Sequence, residues 1–369
     1  MLPSGLQMVL FRKGASMSFA GKQARAPILV FFVLVLSAVM GAEPVPGFQS
    51  LEKIDAHLHV RYNGPEFLNQ AASDNFKAVL IVVDHGDLPQ QLKFIERQKA
   101  IHPNRFRFVT SFPVDRWNEA GWEQETLRLL DESFRSGAIG VKIWKNVGME
   151  LRDKEGRFVM IDNPRFDPVI NFIEKHGKTL TGHLGEPRDC WLPFDQMASE
   201  SNRRYYRSHP EYHMYQHPDF PSYEAQIGAV ERMLEKHPKL RYVGCHVASV
   251  EWSLEKLGQM LDRFPNIAVD LAARIDDLQL HDREAVRQFF MKYQDRLLYA
   301  TDLEIAEGQN PQAVCDRLHS RWTEEWKYFS TDQPVTIQGT EKKVQGLALP
   351  AEVLKKIYQT NARKWYPGI

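Results

Sequence analysis

From residue 53 onward, short β-branched or alternating apolar runs are followed by longer stretches whose apolar positions recur at helical spacing. That rhythm is the pattern of parallel strands laid side by side with helices packed outside them. The strands expected are 53–59, 78–84, 106–112, 139–144, 179–184, 241–247, 267–272 and 297–302. Between them helices are expected over 88–101, 123–136, 167–176, 223–236, 252–263 and 283–293. Two more follow the last strand, at 313–327 and at 351–359, the latter opened by Pro350. No glycine-rich dinucleotide turn follows the first strand, so an open doubly wound sheet is the poorer fit. The expected fold is α/β, a (β/α)8 TIM barrel in a single domain. Its long βα loops lie after strands 4, 5 and 8, over 146–163, 186–222 and 303–349. In a barrel such loops sit at the C-terminal face, where active sites are built.

Upstream the rhythm stops. An unbroken apolar run over 28–36 follows Lys22, Arg25 and Pro27, and ends in Gly41 and Ala42 before Glu43-Pro44. A positive region, a short apolar core and a small-residue exit describe a secretory signal peptide, and the run is short for a membrane span. Residues 1–42 are therefore expected to be a leader cleaved near Gly41 or Ala42, with the barrel over 43–369. The mature protein is expected to be exported, periplasmic or secreted, with no stable membrane association.

Composition narrows the function. The 47 Lys+Arg balance 47 Asp+Glu, so the basic stripe of a nucleic-acid binder is not expected. With 43% apolar residues the chain is not of the disordered class. The three cysteines show no CxxC spacing, which argues against a disulfide framework or a zinc finger. A small-molecule substrate is the partner expected.

Candidate chemistry begins at Asp55-Ala56-His57-Leu58-His59. Side chains two apart on a strand share a face, so His57 and His59 point together, with Ile54, Ala56 and Leu58 turned to the helices. Imidazoles suit zinc and its neighbours, but an HxH alone is a weak signal. Three more expected strands finish in similar groups: Thr181-Gly182-His183, Gly244-Cys245-His246 and Ala300-Thr301-Asp302. Any one could be a satisfied core polar residue. Four at one end of a barrel can satisfy one another through a single cation.

Other positions carry less. Strand parity turns Lys142 inward with Gly140 and Trp144, and Ile139, Val141 and Ile143 outward, so its ammonium needs a carboxylate, a substrate anion or a modification. Asp270 is inward by the same reasoning and could orient a histidine or pair with Lys142. Arg61, Arg188 and Arg274 follow strands and could hold a substrate carboxylate, although solvated loop arginines read the same way. His209, His213 and His217 are spaced four apart, but Pro210 and Pro218 cut any helix there short.

The order HxH, His, His, Asp at successive strand ends resembles the amidohydrolase superfamily. Gly140-Val141-Lys142-Ile143, Gly182-His183-Leu184-Gly185, Tyr299-Ala300-Thr301-Asp302 and Asn361-Ala362-Arg363 are similar to segments of its amidohydrolase-2 branch, which contains aminocarboxymuconate semialdehyde decarboxylase. The resemblance implies His57, His59, His183 and Asp302 as metal ligands, with His246 and Asp302 catalytic. It implies one divalent ion, Zn2+ by preference; in other branches a carboxylated Lys142 would bridge a second metal. Substrate contacts would fall to Lys142, Arg61 and Arg274. The activity implied is a metal-dependent hydrolase that cleaves an ester, lactone or amide bond by attack of metal-bound water. The alternatives are non-oxidative decarboxylation at the same site and a non-catalytic barrel with a structural metal. Members of the branch often form homodimers.

Overall fold

The computed structural model describes residues 44–337 and 342–369. The leader expected over 1–42 lies outside the described residues. A nine-stranded sheet organises the rest: β1 Lys53–Arg61, β2 Phe76–Ile81, β3 Phe106–Ser111, β4 Gly140–Ile143, β5 Thr179–Gly182, β6 Arg241–Gly244, β7 Ile267–Asp270, β8 Leu297–Leu298 and β9 Leu303–Ala306. Neighbours are consecutive in sequence from β8 back to β1, with β9 beyond β1, and every pairing is parallel.

The strands β8 and β9 belong to one run of chain that serves both ends of the sheet. Leu271 N donates to Leu298 O at 3.0 Å, while Ala56 N donates to Tyr299 O at 3.0 Å and Asp302 N to His57 O at 2.9 Å. The sheet curls until its two ends share that segment, a TIM-type arrangement. Of the strand expected over 297–302 only Leu297–Leu298 is strand, and β9 begins in the expected loop just past Asp302, which sits in the left-handed region at φ 62.

Burial separates two apolar layers. Ile54, Ala56, Val79, Val109, Val243, Ala268, Leu298 and Ala300 form the inner one. Trp365 and Tyr366 join them from the chain end, where the Tyr366 hydroxyl meets Thr181 Oγ1 at 2.8 Å. Leu58, Phe76, Phe108, Val141, Leu180 and Val269 pack outward with the helices. Ile54 and Ala56 therefore face inward, against the parity argument, and Ile139 joins them. The reason on β1 is an irregular register with β2 between Asp55 and Leu58, which restores the expected faces from His57 onward.

Several helices begin where side chains cap them. Asp87 accepts from Gln90 N before Leu88–Ile101, and Ser222 from Ala225 N before Tyr223–Lys236. Ser253, Asp282 and Asn310 do the same for Leu254–Arg263, Arg283–Lys292 and Pro311–Ser330. Each pairs an amide the helix leaves unpaired, a contribution of about 1 kcal/mol.

Candidate metal centre

The C-terminal strand ends bring together His57, His59, His246 and Asp302. Hydrogen bonds fix the ring tautomers. His57 Nδ1 is 2.9 Å from Asp270 Oδ2, and His59 Nδ1 is 2.9 Å from the Ile81 carbonyl. A carboxylate and a carbonyl only accept, so both Nδ1 atoms carry the proton and both Nε2 atoms present lone pairs. Those Nε2 atoms face each other at 3.2 Å, with Asp302 Oδ1 3.3 Å from one and 3.2 Å from the other. Three acceptors converge with no proton to share. A cation satisfies all of them, which is the fit a divalent metal requires.

His246 completes the group: its ligating nitrogen lies within 4.8 Å of those of His57 and Asp302. Its Nδ1 is 2.9 Å from the Ala272 carbonyl, so its Nε2 is also a lone pair, and His183 Nδ1 approaches it at 3.1 Å. His183 therefore stands behind His246, and its buried Nε2 has no hydrogen-bond partner, with Glu186 Oε2 the nearest carboxylate oxygen at 3.9 Å. His246, given a catalytic role by resemblance, thus lies within ligand reach of the same centre.

Charge agrees with that use. Burial, aided by Lys142, lowers the pKa of His57; burial, aided by His183, holds that of His246 well below its ordinary value, and His183 falls to about 4 mainly through burial. Burial alone would raise the Asp302 carboxyl, but the surrounding His57, His246 and His59 hold it well below the usual carboxylate range. Neutral imidazoles beside an ionised carboxylate are the protonation states metal binding needs.

The backbone beneath the site is strained. His246, Val247, Ala248 and Ser249 all have φ between 54 and 58, one left-handed turn without glycine. Such a turn costs about 1–2 kcal/mol per residue. It is held by Asp270 Oδ1 accepting His246 N at 2.8 Å and by the Tyr223 hydroxyl donating to Ser249 O at 2.6 Å. The turn folds back onto Gly244, where a Cβ would sit 2.6 Å from Ala248 Cβ. Gly244→Ala is expected to destabilise the fold by about 1–3 kcal/mol and to weaken metal binding by shifting His246. Thermal melting with metal analysis of the folded protein checks both.

A cavity of about 560 Å3 opens over the cluster, lined by His183, His246, Asp302, Lys145, Glu186 and Arg274 among others. Arg274 is buried, with Asp277 Oδ2 3.8 Å from its Nε. Of the three residues given substrate contacts by resemblance, only Arg274 lines this cavity. Arg61 turns to Glu304 Oε1 at 3.2 Å because β9 lies beside β1. Lys142 is inside the barrel but one layer lower, in register with Thr181 rather than His183, and its Nζ meets Cys245 Sγ at 2.9 Å. Asp270 orients His57, one of the two roles open to it. The histidines 209, 213 and 217 bond separate backbone carbonyls, those of Tyr205, Leu192 and Pro210, and share no helix.

Two groups escaped the sequence reading. Lys145 and Glu186 form a buried ion pair on the cavity wall, and Lys145 Nζ also donates to the Tyr205 hydroxyl at 3.2 Å. Neither lies at a periodic position, and their only sequence signal is that each follows a strand end closely.

The family model described as Amidohydrolase, Amidohydro_2, matches residues 100–368. The chain belongs to the amidohydrolase-2 family. Metal binding is typical of this family, and the HxH strand lies ahead of the matched span. No curated protein matches the chain by sequence. Among solved structures, 2,6-dihydroxybenzoate decarboxylase complexed with 2,6-dihydroxybenzoate is 15% identical, covering 86% of this chain and 98% of its own, at a TM-score of 0.44. Amidohydrolase 2 from Bifidobacterium longum subsp. infantis is 12% identical, covering 86% and 99%, at 0.44. A uronate isomerase from Bacillus halodurans C-125 is 13% identical, covering 83% and 69%, at 0.43. Likeness at this level says nothing of the reaction this amidohydrolase-2 member performs.

Proposed function

We propose that this protein is a metal-dependent hydrolase that cleaves an ester, lactone or amide bond of a small molecule. One observation carries the reading: the lone pairs of His57, His59 and His246 and the Asp302 carboxylate converge at the floor of a cavity. We assign one divalent ion to this cluster, zinc by preference, with His57, His59, Asp302 and His246 as its nearest donors and His183 behind. A divalent ion held there polarises a substrate oxygen and lowers the pKa of water to about 7.

The chain's own groups supply the rest. Asp302 Oδ1 faces the two imidazoles, which leaves Oδ2 to take a proton from the attacking water. His246, whose Nδ1 donates to the Ala272 carbonyl, would hold the ion through Nε2, which leaves proton transfer to Asp302. Asp270 keeps the His57 ring turned toward the centre. Arg274 lines the cavity and is suited to an anionic group on the substrate.

Decarboxylation at the same centre is the second reading, and the guanidinium of Arg274 in the cavity favours it, since it offers a place for a substrate carboxylate. The two are separated by turnover in H2(18)O. Hydrolysis places the label in the product acid, whereas decarboxylation releases carbon dioxide with no net uptake of water. Screening esters, lactones, amides and aromatic carboxylic acids in one metal-loaded panel decides the matter.

We also carry forward export, from the apolar run over 28–36 and its flanking residues, and a homodimer, from the family's habit. Among the described residues no helix is long and apolar enough to cross a membrane. Cell fractionation tests the first and light scattering the second.

A further inference from the structure

We infer that Asp55 is a positioning residue for the metal centre, the group that holds the His57 side of the site in register with the Asp302 side. This rests on the metal reading above. Asp55 is fully buried, yet among the described residues no cation pairs with it. Its carboxylate instead accepts four donors. Oδ1 takes His57 N at 3.2 Å and Thr301 N at 3.1 Å; Oδ2 takes Thr301 Oγ1 at 2.7 Å and Trp322 Nε1 at 3.0 Å.

The location explains why a carboxylate is needed. Here β1 loses its regular register with β2, and the neighbouring run breaks into β8 and β9 at Asp302, whose φ is 62. Backbone bonds cross the seam from Ala56 N to Tyr299 O and from Asp302 N to His57 O; the two oxygens of Asp55 add a side-chain tie between the same segments. They bind the amide of one candidate ligand, His57, and the amide and hydroxyl of the residue before another, Asp302. Trp322, stacked on Phe76 at 4.2 Å between centroids, anchors the carboxylate to helix Pro311–Ser330. Asp55 thereby sets the spacing of His57 Nε2 and Asp302 Oδ1 without touching the metal. Such supporting hydrogen bonds are worth about 10–100-fold in metal affinity.

The test measures zinc affinity by chelator competition, and the visible spectrum of the cobalt-loaded protein, for the full chain and three variants. Asp55→Asn puts an amide donor against Trp322 Nε1 or the Thr301 hydroxyl. Thr301→Val and Trp322→Phe each remove one donor while keeping shape, and remain informative if Asp55→Asn does not fold. The expected result is a loss of zinc affinity of about 10–100-fold in Asp55→Asn, a smaller loss in the other two, and an altered cobalt spectrum. Lowered melting temperatures with unchanged zinc affinity and cobalt spectrum would overturn the assignment and leave Asp55 a structural residue. A wild-type chain that binds neither metal removes the metal reading and this inference together, a different outcome from the former.

Discussion

Asp302→Asn is expected to lower turnover by about three orders of magnitude, within the range that positioned acid–base groups contribute. The carboxylate is the one anionic donor among three imidazoles, and its Oδ1 sits 3.3 and 3.2 Å from the Nε2 atoms of two of them. An amide there loses the negative charge and the proton-accepting oxygen together. The effect is the same for hydrolysis and decarboxylation, so it tests the centre and not the reaction. Comparison of kcat with bound metal separates the two losses. Retained metal with collapsed kcat assigns Asp302 to proton transfer, whereas loss of both assigns it chiefly to coordination. Unchanged turnover would remove Asp302 from the site.

The second large effect concerns stability. Lys145→Met leaves Glu186 buried without its cation, and breaking such a pair costs about 3–5 kcal/mol. Both side chains are only 4% exposed. Burial works to raise Glu186, but Lys145 holds it well below the usual carboxylate range; in turn Glu186 holds Lys145 above its ordinary value against burial. A depressed carboxylate contributes stability that is present above its unfolded pKa, about 4.3, and lost as pH falls toward the folded value. In the variant, burial without a cation raises Glu186, so stability is lost as pH rises instead. The gap between wild type and Lys145→Met should therefore widen from acid pH toward neutrality and narrow steadily as pH falls below the unfolded value. Adding Glu186→Gln should recover much of it, since the remaining groups are neutral. Denaturant unfolding at pH 4.5 and 7.5 measures the gap; an equal deficit at both would contradict the assignment of charge.

The strands were legible because each pairs a β-branched core with a polar end, as in Arg241–Gly244 followed by Cys245-His246. The helices Leu88–Ile101 and Tyr223–Lys236 were legible through their apolar spacing, and the structure shows Asp87 and Ser222 capping them. Parity failed at Ile54 and Ala56 because a register irregularity adds a residue that alternation cannot foresee. It also failed to separate depth: Lys142 points inward as expected, yet one layer below the cavity. The break at Asp302 and the left-handed turn at His246 left no mark in the apolar pattern, since strain there is held by partners distant in sequence, Asp270 and Tyr223. The Lys145–Glu186 pair was hidden for the same reason, joining segments 41 residues apart.

The central claim is the metal, and elemental analysis of the gently purified full chain tests it most directly. About one equivalent of zinc or a similar divalent ion per chain, lost in His57→Ala, is the expected result. Two equivalents would contradict the single-ion assignment. No metal after reconstitution with zinc and with manganese would contradict the account and leave the convergent lone pairs of His57, His59 and Asp302 without a cause.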